Sequence, residues 1–75
     1  MLEQGEIITL NDKKTYVATY VDKLNDKNYV YLVEQDDYTN NMWCEQDSKN
    51  GLQEVVNEKI VEKLLARFKM NSTKQ

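Results

Sequence analysis

The hydrophobic pattern of this chain changes period once, at Asn57, and any fold it adopts must accommodate that change. Before Asn57, apolar and β-branched residues come in short runs separated by polar turn clusters. After it, Ile60, Val61, Leu64, Leu65 and Phe68 recur at spacings of one, three and four residues. The first pattern suits strands, whose side chains alternate between two faces, and the second suits a helix with one apolar stripe. The predicted class is α+β: a small antiparallel sheet of four to five strands, meander or barrel-like, with one C-terminal helix.

The strands are read from the runs. Glu6-Ile7-Ile8-Thr9-Leu10 is followed by Asn11-Asp12-Lys13-Lys14, where Asn and Asp bond their own backbone and tolerate left-handed geometry, so a tight hairpin is expected. Thr15 to Val21 is the second strand, Leu24-Asn25-Asp26-Lys27 the second turn, and Asn28-Tyr29-Val30-Tyr31-Leu32-Val33 the strongest strand signal and the predicted centre of the sheet. A polar connection over 34–41 leads to Met42-Trp43-Cys44-Glu45, and Leu52 to Val56 is a candidate last strand. Asn57 is placed as the helix N-cap, with the helix over 58–69, Glu58 at its positive end and Arg67 and Lys69 at its negative end. Ile60, Val61, Leu64, Leu65 and Phe68 should share one stripe, and Ile60, Leu64 and Phe68 are expected to anchor on Val30 and Leu32.

With 75 residues there is room for one core, so residues 1–70 are expected to form a single domain and 71–75 a frayed tail. Such a core is small, and docking on a partner or on a second copy as a homodimer would add buried surface. Histidine is absent and cysteine occurs once, at Cys44, which removes the raw material of structural zinc, haem attachment and disulfide frameworks. The lone thiol, expected in the core, and the absence of a basic and apolar leader at the start point to the cytoplasm.

The net charge of −3 conceals a division. Up to Glu58 twelve acids face five lysines, giving −7, whereas from Lys59 onward Glu62 faces five cations, giving +4. Carboxylates gather around the third turn: Glu34, Asp36, Asp37, Glu45 and Asp47, with no Lys or Arg between them. With Tyr38 and Trp43 they are the candidate partner-binding residues, fitted to a basic protein surface. The calcium loop D-x-[DN]-x-[DN]-G is missing, so the acidic connection reads as a solvated turn and no metal site is assigned. The strand tyrosines suggest a stacking platform for single-stranded nucleic acid, but the chain holds one arginine, on the helix, and phosphate affinity rests on Lys and Arg. The tyrosines are therefore expected to pack beneath the helix with their hydroxyls at the rim, and direct nucleic-acid binding is not expected. Lys59, Lys63 and Arg67 are too few for membrane attachment.

The residues Glu6-Ile7-Ile8-Thr9-Leu10-Asn11-Asp12, Lys27-Asn28-Tyr29-Val30-Tyr31-Leu32-Val33 and Leu52-Gln53-Glu54-Val55 before a terminal helix resemble the small YrzB-like proteins of Gram-positive bacteria, a family of unknown function. The likeness spans most of residues 5–68, and it implies a fold and no site. The expected function is that of a non-enzymatic, cofactor-free protein-binding module acting through its acidic sheet surface. The alternative is an inhibitor encoded by a phage or mobile element that blocks a nucleic-acid-binding host protein such as a restriction or CRISPR nuclease.

Overall fold

The computed structural model describes residues 1–49 and 51–72. Five strands, β1 (Ile7–Thr9), β2 (Thr15–Leu24), β3 (Lys27–Glu34), β4 (Asn41–Asp47) and β5 (Gly51–Glu54), precede one helix, α1 (Glu58–Ser72). They pair in chain order as an antiparallel meander, β1-β2-β3-β4-β5, curled into a half-barrel. The predicted α+β class and the order of elements are those observed.

Turn chemistry sets the hairpins. The β2–β3 loop is only Asn25 and Asp26, both left-handed at φ 53° and 64°, the backbone of a type I′ turn whose twist matches that of paired strands. This lets β2 run three residues further than expected, to Leu24. The first hairpin closes through Lys13, left-handed at φ 66°. Its N–H donates to the Leu10 carbonyl at 2.9 Å, while the Lys14 N–H donates to Asp12 Oδ1 at 2.9 Å. At the helix start, Asn57 Oδ1 accepts from the Lys59 and Ile60 amides at 3.0 and 3.4 Å, the N-cap expected from the sequence.

The sheet is apolar on both faces. On its hollow face Tyr16, Ala18, Val30, Leu32 and Cys44 are buried, flanked by Leu2, Ile8, Leu10, Val21, Met42 and Leu52. On the opposite face Tyr20, Tyr29 and Trp43 are buried against Leu64, with Tyr31, Ile60, Val61 and Phe68 packed around them. Tyr31 stacks on Trp43 at 4.7 Å between ring centroids, and the Phe68 ring lies 5.1 Å from Tyr20. The helix therefore anchors through Ile60, Leu64 and Phe68 as expected, but on an aromatic face. Val30 and Leu32, the expected counterparts, point the other way because they alternate with Tyr29 and Tyr31. Leu65 also leaves the predicted stripe and is exposed.

A bulge explains why Tyr16 and Tyr20 part company. Ala18 pairs with Leu32 but Tyr20 pairs with Tyr31, so Thr19 is an extra residue in β2 and reverses the alternation beyond it. Tyr20, Tyr29 and Tyr31 pack beneath the helix, whereas Tyr16 lies in the hollow.

Both chain ends are tied back to the sheet by side-chain bonds. Gln46, buried on the hollow face, accepts the Leu2 N–H at 2.7 Å and donates to the Leu2 carbonyl at 3.3 Å. The helix runs past the predicted 69 to Ser72, and the Asn71 amide donates to the Tyr20 hydroxyl; the rest of the predicted tail, 73–75, lies outside the described residues. Arg67 grips both Asp22 oxygens through Nε and Nη2. The Tyr20 hydroxyl donates to Asp22 Oδ2 at 3.1 Å.

The Arg67 guanidinium, together with the Lys23 amide and the Tyr20 hydroxyl, holds the Asp22 carboxyl below its ordinary value of 3.8. A carboxyl whose pKa falls on folding stabilises the fold above its unfolded value, and that contribution is lost as pH falls through the folded value. Asp22→Asn is thus expected to cost about 1–2 kcal/mol at neutral pH, with the difference from the parent shrinking in acid as the pH falls through the folded value. Urea titrations of both proteins at neutral and at acid pH measure it. An equal gap at both would show that the charge of Asp22 does not act.

Candidate functional site

The acidic residues of the third turn lie at two ends of the sheet. Glu34 closes β3, and Asp36, Asp37 and Tyr38 occupy the connection to β4. Glu45 and Asp47 sit at the far end of β4, whose seven residues, rising about 3.3 Å each, set its two ends about 20 Å apart. There Glu45 meets Lys27 at 3.8 Å, and Asp47 Oδ1 accepts the Lys49 amide at 2.8 Å. Trp43, 6% exposed, lies under the helix. The structure thus brings together Glu34, Asp36, Asp37 and Tyr38, and places Trp43, Glu45 and Asp47 elsewhere.

The first group is built on an ordered loop. The Asp37 carboxylate accepts from both the amide and the hydroxyl of Thr39, at 3.0 and 2.6 Å. The Asn40 amide N–H returns to the Asp37 carbonyl at 3.0 Å, and the Asn41 side chain donates to the Tyr38 carbonyl at 3.2 Å. The Thr39 bonds hold the Asp37 carboxyl below its usual range, so it is anionic at neutral pH. Tyr38, at the tip, is 80% exposed.

Residues outside the predicted partner-binding set complete this end. Gln35 donates its N–H to the Thr15 carbonyl at 2.8 Å, which places the loop beside the β1–β2 hairpin. There the buried Tyr16 donates its hydroxyl to Asp12 Oδ2 at 2.8 Å, and Asn40 Nδ2 bridges that hydroxyl and Glu34 Oε1 at 3.0 and 2.9 Å. The chain Asp12–Tyr16–Asn40–Glu34 therefore links two carboxylates through strands β2 and β3 and the turns beside them. The Lys14 N–H, followed by the Tyr16 hydroxyl, draws the Asp12 carboxyl downward, while that bond to Asp12, with burial, pushes Tyr16 upward. The signal for the network lay in register, which sets Tyr16 against Glu34, and no single stretch of chain displays it.

Cys44 is 3% exposed in the hollow, and burial followed by the Glu54 charge pushes its thiol up to about 11, which leaves it protonated and unreactive. Its predicted place in the core is the one observed. Among the described residues no group of three or more cysteines and carboxylates is arranged to hold a metal ion, and no helix is long and apolar enough to cross a membrane. In comparisons with known proteins, no family model matches the chain, and neither a curated protein nor a solved structure matches it.

Proposed function

We propose that this chain is a non-enzymatic, cytoplasmic protein-binding module whose acidic sheet end docks on a basic surface of another protein. The observation that carries the reading is the 35–40 tip, where Tyr38 stands 80% exposed beside Asp36 and Asp37 on a loop ordered by its own hydrogen bonds. Tyrosine is enriched in binding hot spots, and a loop already fixed loses little conformational freedom on docking. The carboxylates add attraction at a distance and speed association with a cationic partner.

The −7 carried by residues 1–58 favours a second reading of the same surface, the inhibitor of a nucleic-acid-binding host protein. In that case the acidic end would occupy a groove that otherwise holds phosphates, whose affinity is also electrostatic and salt-dependent.

The chain used as bait with chemical cross-linking in its host should capture a partner. The variant Asp36→Asn, Asp37→Asn, Tyr38→Ala is expected to bind that partner at least about tenfold more weakly, because it removes two charges and the exposed ring together. Parent affinity should fall steeply between about 50 and 300 mM salt as the Debye length shortens. Equal capture by the variant, or affinity indifferent to salt, would defeat the reading. Competition between the bound partner and its nucleic acid selects the inhibitor.

A further inference from the structure

The curled sheet stops short of closing, and the space between its two edges has the chemistry of a strand-binding groove. β1 and β5 are the outermost strands of the meander. Between them lies a groove of about 510 Å³ floored by Leu10, Met42, Cys44 and Leu52 and bounded by Asp12 and Glu54. No lysine or arginine among the described residues lines it.

The register fixes which backbone groups face this opening. The Val55 N–H donates to the Trp43 carbonyl at 2.8 Å, and Gln53 pairs with Glu45 and Gly51 with Asp47. Antiparallel pairs alternate between bonded and non-bonded, so Gly51, Gln53 and Val55 turn their backbone toward β4 while Leu52 and Glu54 turn theirs outward. The side chains of Leu52 and Glu54 both lie on the groove side, opposite Gln46 and Cys44. An edge that offers amides and carbonyls above an apolar floor is a template for one more strand.

We infer that the β5 edge accepts an extended segment of a partner protein as an added strand, with apolar side chains and a Lys or Arg on the side turned into the groove. The inference rests on reading this chain as a protein-binding module, and it names where and how the partner is held. Charge selects the occupant: two carboxylates bound a groove without a cation, so a cationic strand is matched and an anionic one repelled. Glu54 is the cross-strand partner of Cys44, so its carboxylate stands beside the groove floor. The groove shares Asp12 with the Asp12–Tyr16–Asn40 network, while the β5 edge itself pairs with the Cys44–Asp47 end of β4.

The probe is the peptide acetyl-Thr-Val-Thr-Lys-Thr-Val-Thr-amide, titrated into the full ¹⁵N-labelled chain at low salt and followed by NMR. Saturable shifts are expected at the amides of Leu52 and Glu54 and at Cys44. The affinity should be on the order of 0.1–1 mM, as suits an edge that offers two outward residues. Replacing the central Lys by Glu, or methylating alternate backbone nitrogens of the peptide, should abolish the shifts. Glu54→Pro removes an N–H that the β4 ladder does not use and should weaken binding more than about tenfold, whereas Glu54→Gln keeps the N–H and should weaken it about threefold. If Glu54→Pro does not fold, the methylated peptide gives the same answer. A methylated peptide that binds as well as the parent, shifts confined to 35–40, or no saturable shift overturns strand addition. None of these results touches the module reading, which capture by the Asp36, Asp37 and Tyr38 variant decides separately, and a saturating shift at β5 stands whatever that variant does.

Discussion

Leu64→Ala is expected to lower stability by about 2–5 kcal/mol, the range for deleting a buried leucine whose cavity cannot collapse. Leu64 has no exposed surface, and it seats among Tyr20, Tyr29 and Trp43. Tyr20 and Trp43, set edge to face against each other and each against the Phe68 ring, are poorly placed to fill a void of several methyl groups. At roughly 0.05–0.15 kcal/mol per residue a chain of 75 residues has a total stability of about 4–11 kcal/mol, so the variant is brought close to its unfolding point. The single tryptophan supplies the readout, since Trp43 lies in the same cluster and becomes exposed as the helix leaves. A urea titration followed by its fluorescence should show an earlier midpoint. An unchanged midpoint would show that α1 does not depend on this side chain to hold the sheet.

Leu32→Ala should cost a similar amount, about 2–5 kcal/mol, from the other side of the sheet. Leu32 is also without exposed surface, but its neighbours are Tyr16, Ala18, Val30 and Cys44 in the hollow. Because the two leucines belong to clusters on opposite faces, their losses should add to within about 0.5 kcal/mol, and the double variant should be largely unfolded in water. Had Leu64 packed on Leu32, as the sequence suggested, the first truncation would relieve part of the second and the sum would fall short. Measurement of the two single variants, with the double variant in a stabilising osmolyte, distinguishes the two arrangements. A coupling well above 1 kcal/mol would contradict the face assignment.

The error about Leu32 shows what the chain made legible. The change of period at Asn57, the Asn-Asp turns and the Asn57 cap are local signals, and each appears where expected. In β3, however, both faces are apolar, Tyr29, Tyr31 and Val33 on one and Val30 and Leu32 on the other, so alternation alone cannot say which face the helix covers. Thr19 is harder still. It stands among β-favouring residues, and a bulge there leaves no mark in composition, yet it decides that Tyr20 and Tyr16 face opposite ways. Asp36, Asp37 and Tyr38 could be grouped from the sequence because one short loop carries them. Glu45, Asp47 and Trp43 could not be placed, because strand length and pleat rather than sequence distance separate them from that loop. Asp12 joins the site only through the β1–β2 hairpin and the pairing of Tyr16 with Glu34.

The tethers at the two chain ends bear on the order in which the molecule assembles. Every strand ladder joins neighbours in the chain, so each hairpin of the meander closes a short loop, at small entropic cost, onto the one before it. The clasp of Leu2 on Gln46, 44 residues apart, and the bonds of Arg67 to Asp22 and Asn71 to Tyr20, 45 and 51 residues apart, are of a different kind. Each of them needs its receiving strand in place before it can form. The meander can therefore grow hairpin by hairpin while both ends are still free, with the long-range closures coming after it, a sequence of events that favours rapid folding for a mostly β chain.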